Sequence, residues 1–310
     1  MNILLTGASG FIGQAINLKL NDHFVRITSR KMINDPSSNK YKKDMSSDED
    51  FSDCLDGIDV VIHTAARVHK MRDKSLNPLK EYMEINCNGT LNLAKQAVKA
   101  GVKRFIFIST IKVSGEKSEY DEPFSYDSEV NTSDPYAISK AKAEEGLLEI
   151  SNNEKLEIVI IRPPLVYGPG VKANFLSLIN IVNMSLPLPF KSIKNKRSFV
   201  ALDNLVDLII TCIDHPNASR NVFLVSDDRS LSTPELIEVI AKSLNKKPIL
   251  FSIKIDWLLF MAMIFKKKDL LNRLMHNLEI DMDHTKKTLN WSPPITTEDG
   301  IKRCIPIVTK

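Results

Sequence analysis

The stretch NILLTGASGFIG, residues 2–13, decides the fold. Its first half is a short apolar run of the kind that forms a buried strand, and its second half begins a helical pattern. Between the two lie Gly7, Gly10 and Gly13, spaced Gly-x-x-Gly-x-x-Gly. Glycines at such a turn let the backbone approach a pyrophosphate, which the N–H groups and positive dipole end of the following helix bind. The stretch therefore predicts a dinucleotide-binding turn.

Apolar runs and helical patterns alternate through the first half of the chain. The predicted strands include DVVIHTAA, RFIFIST and EIVIIRPP. This alternation predicts an α/β fold, a Rossmann doubly wound parallel sheet that binds ligands beyond the carboxyl ends of its strands. After Val166 proline and glycine cluster and the predicted elements become shorter. We therefore expect a dinucleotide-binding Rossmann domain at 1–166. We expect a smaller, mainly substrate-binding C-terminal lobe at 167–310, with some segments returning to the sheet.

Composition is that of an ordinary globular protein, with 43% hydrophobic and 26% charged residues among 310. The formal net charge of +4 does not predict general affinity for nucleic acid. The four cysteines are scattered and the six histidines show no metal-ligand spacing, so we expect reduced thiols, a cytoplasmic location and no metal.

The most apolar run is WLLFMAMIF, residues 257–265, followed by three lysines. It is well short of the ~20 residues that cross a bilayer, so we predict no integral membrane segment. A packed helix with a basic end is the favoured interpretation, and a helix lying on a membrane surface is the alternative.

Tyr136 and Lys140, in YAISK, lie four residues apart on one face of a predicted helix. A nearby ammonium and a cofactor cation lower the pKa of a tyrosine, which can then exchange a proton with a sugar oxygen while hydride moves on carbon. The preceding strand ends in Ser109 and Thr110, whose hydroxyls can bind the same oxygen. Asn86 is either a supporting group for this site or a buried helix residue bonded to backbone.

Together these motifs resemble the extended short-chain dehydrogenase/reductase superfamily, in its nucleotide-sugar epimerase and dehydratase branch. The similarity also covers NCNGT, RPPLVYGPG and RSFVALDNLVD and spans nearly the whole chain. It implies Thr110, Tyr136 and Lys140 as catalytic residues, with Thr110 at the epimerase serine position. The implied cofactor-binding residues are Gly7, Gly10, Phe11, Ile12, Gly13, Ser29, Arg30, Lys31, Ala65, Ala66, Tyr136 and Lys140.

A UDP-sugar substrate requires cations for its diphosphate. Arg197 matches an arginine that contacts the diphosphate in related enzymes, and Arg273 is the second candidate. Asn174 begins a helix after a Gly-Pro-rich loop and is expected to contact phosphate or uracil. Ser109 and Thr110 complete the predicted substrate site. A homodimer is possible, and His63 is expected to pack below the cofactor.

The predicted second strand, in HFVRITSRK, ends in Ser29, Arg30 and Lys31, where NAD-binding folds usually have an acid that bonds the ribose. A guanidinium suits the 2′-phosphate of NADP, so the sequence favours NADP(H), with NAD as the alternative. Val68 and Leu165 stand where epimerases of the family commonly carry a lysine and an asparagine.

These departures favour an NADPH-dependent 4-ketoreductase of a UDP-2-acetamido-2,6-dideoxy-hexos-4-ulose in surface polysaccharide biosynthesis. The alternative is a UDP-glucose or UDP-N-acetylglucosamine 4-epimerase with tightly bound NAD. A dehydratase is disfavoured, because the first carboxylate after Thr110 is Glu116. A non-catalytic NADP-binding regulator is the third possibility.

Overall fold

The structure is a computed structural model that describes residues 1–31, 35, 38–68, 77–264 and 268–305. Its main sheet has seven strands, all parallel. In spatial order these are β3 (Lys40–Tyr41), β2 (Phe24–Thr28), β1 (Asn2–Thr6), β4 (Val60–His63), β5 (Arg104–Ile108), β6 (Glu157–Arg162) and β9 (Asn221–Leu224). The strand order reverses direction between β1 and β4, and this is the switch point at which doubly wound sheets bind ligands. The predicted fold class is confirmed.

Helices surround this sheet and continue into the C-terminal part. They are α1 (Phe11–Asn17), α2 (Ser52–Leu55), α3 (Pro78–Tyr82), α4 (Gly89–Lys99), α5 (Pro135–Asn153), α6 (Ala173–Asn183), α7 (Leu202–Asp214), α8 (Thr233–Ser243), α9 (Ile255–Ile264), α10 (Lys268–Met275), α11 (Asp283–Leu289) and α12 (Thr297–Cys304). A π-helical turn, Met83–Asn88, joins α3 to α4. In the part of the chain that the structure describes, no helix combines the length and apolar character needed to span a bilayer.

The sheet is apolar on both faces because its strands are buried between helices. On β1, Ile3 and Leu5 face a cluster formed with α1 and α7, whereas Leu4 faces a cluster formed with α4 and α5. This alternation follows from the two-residue period of a strand.

A second sheet of three short strands lies in the C-terminal half: β10 (Ser230–Leu231), β8 (Arg197–Ala201) and β7 (Leu165–Tyr167). Asp227 ties this region together, because its carboxylate accepts hydrogen bonds from Tyr167 Oη at 2.5 Å and from Asn204 Nδ2 and the Ala201 N–H at 2.7 Å. The division at residue 166 stays a prediction. The strand β9, although it lies beyond that residue, belongs to the main sheet.

Candidate active site

The glycine turn after β1 is held against the ends of two neighbouring strands. Gly7 adopts φ +71°, and the N–H groups of Gly7 and Ala8 donate to the Thr28 carbonyl at 3.1 and 3.3 Å. A Cβ at Gly7 would lie 2.7 Å from the Ala65 nitrogen, and one at Gly13 would lie 2.3 Å from the Gly7 oxygen. Only glycine allows this close approach of turn, helix α1 and the loop after β4.

Gly10 completes the turn, since its N–H donates to the Gly7 carbonyl at 2.8 Å. Phe11 and Ile12 begin α1 and pack, partly buried, against the core.

A cavity of about 130 Å³ lies beside the turn at the switch point of the sheet. Its lining residues are Gly7, Ser9, Gly10, Thr28, Ser29, Arg30, Lys43, Asp44, Met45, Thr64, Ala65, Ala66 and Ile85. Ser29 and Arg30 after β2 and Ala65 and Ala66 after β4 therefore meet at one place, whereas the predicted Lys31 is not among the lining residues. Lys43, Asp44 and Met45, which follow the two-residue strand β3, were not predicted from the sequence. A cradle of glycine backbone with polar walls fits the pyrophosphate and ribose end of a dinucleotide.

Arg30 lines this cavity with an exposed side chain. Ser29 is 6% exposed, and its hydroxyl exchanges a 2.7 Å hydrogen bond with Ser9 and accepts the Lys31 N–H at 3.3 Å. Ser29 thus positions the glycine turn, while Arg30 and Lys43 are the cationic residues that line the cavity.

Tyr136 lies in the first turn of α5. The Asp134 side chain caps this helix by accepting the Ala137 N–H at 2.9 Å, and Pro135 occupies its first position. The Tyr136 ring meets the Tyr82 ring edge-on at a centroid distance of 6.0 Å. Burial, followed by the negative charge of Asp134, raises the pKa of Tyr136 well above its ordinary value. Tyr136 is therefore a neutral phenol near pH 7 unless a positive charge approaches it.

Lys140 lies one turn further along α5 and is 2% exposed. Its ammonium donates to the Ile108 carbonyl at 2.7 Å and lies 4.2 Å from the centroid of the Phe107 ring. Burial lowers the pKa of Lys140 to about 7, against the opposing effect of Glu144. Glu144 itself is paired with Arg162 at 2.7 Å, and both side chains are buried.

Ser109 and Thr110 follow β5, beside α5. Thr110 is half-buried and its hydroxyl accepts the Lys112 N–H at 3.3 Å, at the start of a 3₁₀ turn. The Ser109 hydroxyl is buried and has no hydrogen-bond partner within the described part of the chain. A buried hydroxyl without a partner is costly, and a ligand oxygen would satisfy it.

Asn86 connects the loop after β4 to α5. Its Oδ1 accepts the Arg67 N–H at 2.7 Å, and its Nδ2 donates to the Arg67 carbonyl at 3.1 Å and to Ser139 Oγ at 3.0 Å. Ser139 in turn donates to the Tyr136 carbonyl at 2.7 Å. Asn86 is thus a buried residue bonded to backbone, and through these bonds it positions both walls of the site.

His63, at the end of β4, is fully buried between Thr6 at 2.7 Å and Thr90 at 2.9 Å. Burial, aided by the charge of Lys140, lowers the pKa of His63 to about 3, so its ring is neutral. The described residues contain no group of three metal-ligating side chains.

The predicted substrate arginines are brought together by β8 and α10. Arg197 Nη1 donates to the His276 carbonyl at 3.0 Å, just after α10, which carries the exposed Arg273. Burial and the positive charge of Arg273 lower the pKa of Arg197 to about 10, and Glu116 opposes this shift. The two guanidinium groups are suited to an anionic ligand, whereas the carboxylate of Glu116 opposes its binding.

The other positions singled out on the substrate side are exposed. Asn174 is the second residue of α6 and is exposed. Val68 is 63% exposed and Leu165, on β7, is 43% exposed. Neither apolar side chain is used to build the core.

The fold, the glycine turn and the Tyr136–Lys140 pair place the chain in a known class. The model of the NAD dependent epimerase/dehydratase family matches residues 3–226, and the chain belongs to this family.

Among the curated relatives is a UDP-glucose 4-epimerase of Vibrio cholerae, 45% identical over 308 residues, covering 97% of this chain and 94% of that protein. Another is the N-acetyl-alpha-D-glucosaminyl-diphospho-ditrans,octacis-undecaprenol 4-epimerase of Escherichia coli O157:H7. It is 29% identical over 254 residues, covering 79% of this chain and 73% of that protein.

Solved structures support the fold. The UDP-glucuronic acid 4-epimerase from Bacillus cereus in complex with NAD superposes with a TM-score of 0.78. It is 23% identical, and the match covers 100% of this chain and 99% of that chain. At this identity the likeness establishes the shared fold only.

Proposed function

We propose that the protein is a 4-epimerase of a hexose carried on a nucleotide diphosphate, in the first instance UDP-glucose or UDP-N-acetylglucosamine, and that it works with a retained NAD. The observation that carries the proposal is the 45% identity, over 97% of the chain, to the Vibrio cholerae UDP-glucose 4-epimerase. The Escherichia coli relative is also named as a 4-epimerase of a sugar on a diphosphate. These relatives favour epimerisation over the ketoreductase that the sequence analysis preferred.

In this proposal the glycine turn and the cavity walls at Ala65 and Ala66 hold the dinucleotide. The bound nicotinamide supplies hydride acceptance and return, together with a positive charge. Lys140 lies one turn beyond Tyr136 on α5 and donates to the Ile108 carbonyl at the end of β5, and it is assigned a second positive charge at this site. Both charges lower the pKa of the phenol, which its burial otherwise raises.

Tyr136 is assigned the proton transfer at the C4 oxygen of the sugar. It takes the hydroxyl proton when C4 is oxidised and returns it when C4 is reduced from the other face. Thr110, which stands at the end of β5, is assigned a hydrogen bond to the same oxygen. The unpartnered hydroxyl of Ser109 is available to a neighbouring ligand oxygen.

Arg197 and Arg273 are assigned to the diphosphate of the substrate. Burial and, after it, the positive charge of Arg273 lower the pKa of Arg197, and a bound anion would offset both effects. The sugar would then extend from this cationic side toward Tyr136.

An NADPH-dependent 4-ketoreductase is the second candidate, and the observation that favours it is Arg30 at the cavity wall. A guanidinium there suits a 2′-phosphate. The exposed Val68 and Leu165 add no polar anchor of the type that epimerases carry. A dehydratase has less support, since Glu116 is paired with Lys112 at 2.9 Å.

The two candidates are separated by incubating the purified protein with UDP-glucose or UDP-N-acetylglucosamine, with no cofactor added, and following the C4 proton by NMR. Accumulation of the C4 epimer supports the proposal. Absence of any epimer, together with NADPH-dependent reduction of UDP-4-keto-6-deoxy-N-acetylglucosamine, would establish the second candidate instead.

A further inference from the structure

Helix α9 exposes apolar side chains that the fold does not use. Its exposed apolar side chains, among those that the structure describes, are Ile255 (45% exposed), Trp257 (62%), Phe260 (49%), Met263 (63%) and Ile264 (57%), and we call them the apolar ridge. Asp256 on the same helix is also exposed. Single exposed apolar residues are common on protein surfaces, but five on one ten-residue helix form a patch. Such patches mark surfaces that bind another apolar phase or molecule.

Among the side chains of α9 that the structure describes, Leu258 and Leu259 pack inward. Leu258 is buried in a small cluster with Leu271 of α10, against which Phe190, Ile253 and Leu259 pack. This cluster anchors the helix through one side and leaves the ridge outside.

The patch continues onto the neighbouring segments. The Phe251 N–H donates to the Leu188 carbonyl at 3.1 Å and the Leu188 N–H donates to the Ile249 carbonyl at 2.8 Å, so the chain before α9 lies beside residues 188–190. Ile249 is 52% exposed, Phe251 43% and Leu186 45%.

Positive charge is concentrated in the same part of the chain. Residues 242–275 contain eight lysines and arginines and two aspartates, a net +6, whereas the whole chain has a net charge of +4. The rest of the chain is therefore net negative. Exposed lysines lie next to the patch at Lys247 and Lys254 before α9 and at Lys191 and Lys194 in the adjoining segment.

We propose that the apolar ridge and its lysines bind the surface of an anionic lipid bilayer. Tryptophan and phenylalanine side chains enter the boundary between headgroups and acyl chains, and lysines beside them bind lipid phosphates. The helix lies in the surface and does not cross it, because ten residues extend only about 15 Å. A second copy of the chain suits the surface poorly, since the exposed lysines beside the two patches, Lys191, Lys194, Lys247 and Lys254, would face each other.

Docking in this way has a consequence for the proposed substrate site. The ridge is anchored to α10 by Leu258 and Leu271, and α10 carries Arg273. The cationic side of the site would then lie close to the bilayer surface. The binding itself does not depend on the proposed function, and it is tested without turnover.

The test mixes the full chain with phosphatidylcholine vesicles containing about a quarter phosphatidylglycerol, and separately with pure phosphatidylcholine vesicles, followed by sedimentation. We expect binding to the anionic vesicles, weaker binding to the neutral ones, and loss of most binding at about 1 M salt. The chain has two tryptophans, and Trp291 is buried with its indole N–H bonded to Asp207 at 2.7 Å. A blue shift of the tryptophan fluorescence on vesicle binding therefore reports on Trp257. The Trp257→Phe variant should lose this blue shift while still binding the vesicles.

Two variants with matched controls identify the surface. Trp257→Glu should weaken vesicle binding roughly tenfold or more, because it puts a charge into the ridge. Leu18→Glu, at a leucine 74% exposed at the end of α1, should leave it unchanged. The double variant Lys247→Glu/Lys254→Glu should bind anionic vesicles more weakly than the wild type. The control double variant Lys99→Glu/Lys155→Glu, at lysines outside the patch, should bind as the wild type does.

The proposal is overturned if the wild type does not sediment with anionic vesicles, or if Trp257→Glu binds as well as Leu18→Glu. It is also overturned if the ridge mediates a dimer that Trp257→Glu dissociates.

Discussion

At the residue scale, the proton-transfer assignment depends on the phenol of Tyr136. Tyr136→Phe removes the hydroxyl while keeping the ring that packs edge-on against Tyr82. We expect turnover to fall by roughly 10²- to 10⁴-fold, the usual effect of lost acid–base catalysis, with the fold intact. Steady-state kinetics measures the turnover, and circular dichroism checks that the fold is intact. Tyr120→Phe, at an exposed ring, is the control, and turnover of Tyr136→Phe close to that of the wild type would refute the assignment.

The lowered pKa of Lys140, about 7, makes the free energy of unfolding depend on pH. In the unfolded chain the pKa of Lys140 has its ordinary value. Between about pH 7 and about pH 10 the lysine is therefore protonated in the unfolded state and neutral in the folded state. Because the unfolded state binds more protons, the free energy of unfolding rises with pH in that window. In the cofactor-free protein, the wild type should gain about 2 kcal/mol of unfolding free energy relative to Lys140→Met between pH 7 and roughly pH 9. Urea unfolding at the two pH values measures the difference.

The control for this pH effect is Lys142→Met, on the same helix, whose lysine is exposed and paired with Glu145 at 2.6 Å. Lys142→Met should show the same increase in unfolding free energy between pH 7 and roughly pH 9 as the wild type. An equal pH dependence in the wild type and in Lys140→Met would show that the buried lysine is not the group responsible.

Arg30 decides cofactor preference if its guanidinium contacts a 2′-phosphate. Arg30→Ala, alone or with Lys31→Ala, should weaken NADP binding by roughly 10- to 100-fold and change NAD binding little, because NAD lacks that phosphate. Calorimetry with both cofactors measures this, with Lys42→Ala as the control at an exposed lysine. If the wild type binds NADPH far more tightly than NADH, the ketoreductase becomes the preferred function.

Single residues were predicted well where local spacing specifies geometry. A spacing of four on a helix predicts that Tyr136 and Lys140 share a face, and both are on α5. Lys43, Asp44 and Met45 were missed because no periodic pattern marks a strand of two residues such as β3. The proximity of Arg197 and Arg273 depends on tertiary packing of β8 against the chain after α10, which no local pattern encodes.

At the element scale, the π-helical turn Met83–Asn88 positions the site through Asn86. Asn86→Ala removes three hydrogen bonds that join the loop after β4 to α5, two of them to the partly buried backbone of Arg67. We expect a loss of about 1–3 kcal/mol in unfolding free energy, together with weaker cofactor binding. Denaturant unfolding and a cofactor titration measure the two effects.

Asn88→Ala provides the matched control for Asn86. Asn88 is in the same turn, is exposed, and donates to Glu84 at 2.9 Å. Its replacement should have little effect on either measurement. Equal behaviour of the two variants would show that Asn86 does not position the site.

The strands of the main sheet could be predicted because continuous apolar runs correspond to strands buried on both faces. The runs in NILLTG, DVVIHTAA, RFIFIST and EIVIIRPP become β1, β4, β5 and β6. The helical pattern of residues 77–101 does not reveal the π-helical turn between α3 and α4. The three-stranded sheet was not predicted, since β7, β8 and β10 are short and pair across long separations in the chain.

At the scale of the whole molecule, the main sheet brings together residues that are far apart in the chain. The glycine turn follows β1, the Ala65 loop follows β4, and the Ser109–Thr110 pair follows β5, all at the carboxyl edge of parallel neighbours. The C-terminal sheet and α10 then supply the arginines.

The central claim is that C4 of an intact UDP-sugar is inverted in a single active site. The most direct measurement follows UDP-glucose deuterated at C4, with no cofactor added, by NMR and mass spectrometry of the product. The account predicts a C4-epimerised UDP-sugar that keeps its deuterium at C4, because the hydrogen removed from C4 is returned to it before the sugar leaves. An epimer that carries solvent hydrogen at C4, or no epimer from either UDP-glucose or UDP-N-acetylglucosamine, would contradict it.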